Sequence, residues 1–134
     1  MELNWKRIAL DVLIIIVLSS IAGVLGVMLA MYVPGGQISA LAFILLIPIL
    51  FNVLGFANIS LRANNLWPHL LVVAIIAWLI ANVIPGMISA YRFPEAELIE
   101  GIVMWIKSLG WMLVSMVLGR MVGAYIQKRR IPKL

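Results

Sequence analysis

Residues 12–33 contain no charged side chain, and an apolar stretch of that length closes off most folds at once. A membrane-crossing helix requires about 20 mainly apolar residues, whereas a helix of a soluble domain carries its apolar residues on one stripe. Further apolar runs cover residues 38–61, 66–90 and 99–127. Barrel strands alternate apolar with polar positions and these runs do not, so helix is the expected state throughout. The sequence predicts an all-α, polytopic membrane protein. Its four transmembrane helices, at about 8–33, 38–61, 66–90 and 98–127, form two tandem hairpins in a single domain over residues 1–134. The first run exceeds the about 7–15 apolar residues of a secretion signal. It ends in Tyr32-Val33-Pro34-Gly35-Gly36 rather than at a small-x-small cleavage site, so it is expected to remain as a span.

Composition agrees, with 65% hydrophobic and 11% charged residues against about 45–50% and 25% in ordinary globular chains. A soluble enzyme and a disordered segment are both argued against. The ten Lys and Arg outnumber five Asp and Glu, but they flank the apolar runs instead of forming one basic stripe, so no nucleic-acid partner is expected. With no cysteine, disulfides, thiolate metal sites and Cys nucleophiles are absent from the chemistry available. The connections predicted to be cytoplasmic hold Lys6, Arg7, Arg62, Lys128, Arg129, Arg130 and Lys133, while the opposite side holds Arg92. The positive-inside rule then places both termini in the cytoplasm, with a plasma or inner membrane as the expected location. Trp5, Trp67 and Tyr125 fall near the inner edge and Tyr32, Tyr91 and Trp105 near the outer one. Trp78 and Trp111 fall near mid-span, where an indole N–H wants an acceptor, and both are expected to face protein.

An internal echo runs through the chain. Leu29-Ala30-Met31-Tyr32-Val33-Pro34-Gly35 parallels Ile80-Ala81-Asn82-Val83-Ile84-Pro85-Gly86, and Ile-Ser-Ala follows each, at residues 38–40 and 88–90. Val53-Leu54-Gly55 similarly parallels Val117-Leu118-Gly119. Each hairpin is therefore expected to turn at Pro-Gly, with the second Pro-Gly breaking the last turn of the third helix. Common turn chemistry explains the same pattern without duplication. On Val33-Pro34-Gly35, Asn52 and Ile84-Pro85-Gly86 the layout resembles the small four-helix membrane proteins grouped as phage holin superfamily IV. The Arg-Pro and Thr-Leu-Pro elements expected after the second helix in that group are missing. The resemblance implies oligomeric membrane permeabilisation.

Ionisable residues inside a membrane are functional candidates, and Lys107 and Arg120 qualify. Thirteen steps separate them, which at about 100° per residue puts them about 140° apart, so one stripe cannot carry both. Either can instead snorkel to its nearer surface. The arc near Lys107 holds Glu97, Glu100, Met104, Ser108, Trp111, Ser115 and Gly119, and is expected to meet other helices or another subunit. Asp11 lies near the inner interface, within reach of Lys6, Arg7 or Arg120. Ala22, Gly26 and Ala30 on the first helix, and Ser115, Gly119 and Gly123 on the fourth, recur every four residues. Such small-residue seams let helices approach closely in lipid; whether within one chain or between copies is open. Asn52 follows Pro48 by four residues. It is expected either to repair the helix break that the proline makes or to line a polar cavity with Asn82 and Lys107.

Catalytic and metal-binding sets are not apparent. His69 is the only histidine and has no carboxylate beside it in sequence. Glu95, Glu97 and Glu100 could bind a cation at the outer surface, but read more readily as a solvated helix start that suits the helix dipole. No enzyme activity, cofactor or metal is expected. The partners expected are the lipid bilayer and either further copies of this chain or other membrane subunits. Two functional readings follow. One is a homo-oligomeric, holin-like pore or permeation path lined by Lys107, Asn52, Asn82, Ser108 and Ser115. The other is a non-catalytic accessory or assembly subunit of a larger membrane complex.

Overall fold

The computed structural model describes residues 3–32, 34–62, 66–92 and 98–130. All regular structure among them is helical: α1 (Trp5–Tyr32), α2 (Gly36–Ser60), α3 (Leu66–Trp78), a π-helical segment (Leu79–Val83), α4 (Ile84–Arg92) and α5 (Leu98–Arg130). α3, the π segment and α4 follow one another without a break as the third span. The four spans are long and apolar enough to cross a membrane, as backbone groups satisfied within each segment require. Glu95, Glu97, Lys133 and Val33 lie outside the described residues.

The two Pro-Gly pairs have different local roles. Pro34-Gly35 lies between α1 and α2, where Gly36 adopts φ 75°, a conformation that costs glycine little. Pro85-Gly86 instead lies inside α4, and the third span continues to Arg92. The expected break at Pro85 is thus replaced by the π segment immediately before it, whose wider turn is closed by Ile84 N–H donating to the Leu79 carbonyl. A proline lacks an N–H and crowds the carbonyl four residues earlier; one wider turn absorbs that misfit and keeps the helix going.

Around the bundle the order is α1, α2, α5, α3. The chain runs as two tandem hairpins, but α5 lies most extensively along α2 and only secondarily along α3. Small residues explain the preference. A Cβ on Gly119 would sit 2.8 Å from the Val53 carbonyl oxygen and 3.0 Å from Ala57 N, and one on Gly123 would overlap Ser60 Oγ. On α1 a Cβ at Gly26 would sit 2.9 Å from the Phe43 carbonyl oxygen, and Ala22 is fully buried while Ala30 is half-buried. Both seams are therefore filled by α2 of the same chain.

One apolar core closes the half of the bundle that carries the start of α1 and the end of α5, here the terminal half. It comprises Ile8, Val12 and Ile15 of α1, Phe56 and Ile59 of α2, Leu70, Val73, Ala74 and Ala77 of α3, and Met112 and Met116 of α5. Beyond Trp78 the third span no longer lies along α1, and the interior there changes character.

Candidate functional site

Where the apolar core stops, a half-open cavity of about 480 Å3 lies among the four spans, reaching the outer surface where Ser20, Leu45 and Trp111 are exposed. α1 contributes Ser19 and Ser20, α2 contributes Pro48 and Asn52, the π segment contributes Ala81 and Asn82, and α5 contributes Ser108, Trp111 and Ser115. The helix irregularities at Pro48 and Leu79–Val83 both border this space. A π turn shifts every following side chain around its helix, and that shift helps bring Asn82 to the interior.

Hydrogen bonds tie five of the six serines and asparagines of the lining in place. The Ser19 hydroxyl donates to Asn52 Oδ1 at 2.7 Å, so Asn52 joins α1 to α2 instead of repairing its own helix at Pro48. Trp78 Nε1–H donates to Ser108 Oγ at 2.9 Å and to the Trp105 carbonyl at 3.1 Å, joining the third span to α5. Ser108 and Ser115 donate to the carbonyls of Trp105 and Trp111, and Ser20 to that of Ile16. Asn82 is half-buried and has no side-chain partner among the described residues.

Of the five residues expected to line a path, Asn52, Asn82, Ser108 and Ser115 converge on this cavity and Lys107 does not. Lys107 is exposed on the bundle's outer surface. At about 100° per residue it lies about 140° from Met112 and about 120° from Gly119, both on the buried face of α5. The arc that grouped it with Ser115 and Gly119 was wider than the surface one helix presents to its neighbours. Trp111 departs from expectation for a related reason: it stands at the edge of that face and is 51% exposed, whereas Trp78 is half-buried and bonded to α5, facing protein as expected.

A second polar cluster lies in the terminal half. Asp11 is 1% exposed and His69 5%, and His69 Nε2–H donates to Asp11 Oδ2 at 2.6 Å. Arg7, one helical turn before Asp11, brings Nε to 3.6 Å from Oδ1. Asp11 Oδ1 and Arg7 Nη2 are buried without a hydrogen-bond partner among the described residues. The absence of a carboxylate near His69, expected from sequence, is corrected here: the carboxylate lies 58 positions away, on α1. Of the partners open to Asp11, Arg7 is the one it meets, with His69 added. Arg120 is half-buried and forms no ion pair among the described residues.

Comparison with protein-family models, curated proteins and solved structures gives no match. Function is therefore argued from this geometry alone. An imidazole hydrogen-bonded to a carboxylate is a competent acid–base pair, but this one lies among buried apolar residues, and the buried serines are already engaged. The Ser60 hydroxyl already donates to the Ala57 carbonyl at 2.9 Å. The arrangement suits a clasp between α1 and α3.

Proposed function

We propose that this chain is a small, non-catalytic membrane transport protein, holin-like in size and layout, whose permeation path passes through the mid-span cavity. The convergence of Asn52, Asn82, Ser108 and Ser115 from three spans, with Ser19 and Ser20 from the fourth, carries this reading. Polar side chains at membrane depth are tolerated where they face protein or a water-filled space, and here six of them share one space. The geometry favours a path inside each bundle over a wide pore between copies, because α2 fills the two small-residue seams that would draw copies together. The apolar core around Ile15, Phe56, Val73 and Met116 closes the terminal end, so transport requires those helices to part.

In this reading both termini face the cytoplasm from a plasma or inner membrane, following the positive charge near the terminal end. Lys128, Arg129 and Arg130 occupy the last turn of α5, and the Arg129 guanidinium lies 5.0 Å from the Tyr125 ring centroid, an arrangement suited to the headgroup region. Copies associate through their lipid-facing surfaces, and native mass spectrometry of gently extracted protein is expected to give one homo-oligomeric mass. Co-purification of a different polypeptide would favour the accessory-subunit reading instead.

Reconstitution tests the path. Liposomes holding only this chain are expected to admit a small polar solute faster than empty vesicles, and no increase with insertion verified would refute the reading. Lys107→Glu is expected to leave the rate and its charge preference unchanged, because Lys107 lies outside the lining. A shift in ion preference on that substitution would move the path to the outer face of α5.

A further inference from the structure

The hydrogen bonds of the cavity specify more than polarity. Ser19, Ser20, Ser108 and Ser115 have each committed the hydroxyl proton, to Asn52 Oδ1 and to the carbonyls of Ile16, Trp105 and Trp111. A hydroxyl that donates retains lone pairs for accepting, and only Ser108 uses one, for Trp78. Ser19, half-buried, thus presents an acceptor inside the space and Ser20 one at its exposed rim, while Ser115 is fully buried beneath the lining. Donors come from the amide NH2 groups of Asn52 and Asn82, and Asn82 adds its own carbonyl. Among the described residues no charged one borders the cavity.

We propose that the cavity is a binding site for small uncharged solutes carrying both hydrogen-bond donors and acceptors, polyols and amides, and that inorganic ions are excluded from it. This rests on the reading of the cavity as a permeation path. A neutral solute with adjacent hydroxyl or amide groups gives protons to the Ser19 and Ser20 oxygens and the Asn82 carbonyl and accepts from the two asparagine amides, while its carbon atoms meet Ile44, Ile49 and Met112. An ion is treated differently. A metal cation entering the site must exchange its water shell for about 6–8 oxygen ligands at close range, and the free acceptors here are two bonded hydroxyls of α1 and the Asn82 carbonyl. An anion would meet two amide groups and no cationic side chain, and a charge moved into such surroundings without a partner carries a penalty far above that of a neutral group. The cavity volume of about 480 Å3 lies within the about 300–1,000 Å3 range of small-molecule sites, enough for a solute of a few heavy atoms with accompanying water.

The test uses the full chain in liposomes, with glycerol and urea entry followed by light scattering and K+ and Cl− leak followed by ion-sensitive dyes. Expected are glycerol or urea rates at least about tenfold above empty vesicles, with K+ and Cl− at background. Asn82→Leu, which breaks no hydrogen bond within the described chain, is expected to lower solute entry at least about fivefold while circular dichroism and detergent resistance stay unchanged. Asn52→Leu is expected to lower it further. K+ or Cl− leak that disappears in Asn82→Leu would overturn the uncharged-solute assignment while leaving the path in place. Solute entry insensitive to both substitutions would overturn the assignment of the site. No flux of any kind from correctly inserted protein would remove the path itself, and with it this assignment.

Discussion

Asp11→Ala is expected to loosen the terminal half of the bundle by about 3 kcal/mol, the range in which breaking one side of a buried ion pair falls. Asp11 accepts from His69 of α3 at 2.6 Å and faces Arg7 of its own helix at 3.6 Å. Removing the carboxylate leaves an imidazole N–H and a guanidinium facing aliphatic side chains, and neither Ile8, Val12 nor Leu70 beside them offers an acceptor. Arg7 is about one-third exposed and regains part of its loss by turning toward the headgroups; His69, almost fully buried, has no such exit. Asp11→Asn keeps an oxygen for the His69 N–H and loses only the charge facing Arg7, so its penalty should be less than half as large. SDS titration followed by helical circular dichroism measures both. An Asp11→Ala midpoint equal to that of the unsubstituted chain would show that the cluster does not hold α1 to α3.

How far this cluster was readable before the fold depends on what sequence spacing carries. Residues four apart on one helix are neighbours by geometry, so Arg7 near Asp11 follows from the sequence. His69 near Asp11 depends on which helices adjoin, and four apolar spans with no clear amphipathic stripe do not disclose their order around a bundle. The cavity was more accessible. Amides at mid-span need a partner or water wherever the helices lie, and that rule gathers Asn52 and Asn82; a serine can instead bond its own helix and stay exposed, as Ser20 does at the Ile16 carbonyl, so Ser108 and Ser115 are gathered by the arc they share on α5. Lys107 escapes the rule, because a long aliphatic stem lets an ammonium group reach the interface from a lipid-facing position. Pro85 escaped for another reason. Proline signals a misfit in the helix without saying how it is resolved, and the π segment at Leu79–Val83 resolves it one turn earlier than a break would.

The small-residue seam on α5 leads to the other large effect. Gly119→Val is expected to lower stability by about 2–3 kcal/mol, the cost of forcing extra carbon into a filled contact, whereas Gly110→Ala should be neutral or raise stability by up to about 1 kcal/mol through helix propensity. Both are glycines of one helix with the same backbone conformation, so the difference isolates what stands opposite. Gly110 has nothing within 4 Å of an added Cβ; Gly119 would meet the Phe56 Cβ at 2.5 Å, the Val53 carbonyl oxygen at 2.8 Å and Ala57 N at 3.0 Å. Two of those three atoms are backbone, and a side-chain rotation cannot clear them. α2 and α5 must therefore separate, and in lipid the separation is not offset by any gain elsewhere, since acyl chains replace protein contacts only in part. The consequence reaches the cavity, because Asn52 of α2 and Ser115 of α5 both border it and these two helices pack together. Gly119→Val should thus widen the cavity as it weakens the bundle, raising solute entry at temperatures where the protein remains folded. A Gly119→Val protein as stable as its Gly110→Ala counterpart would mean that α2 and α5 are not held by this contact.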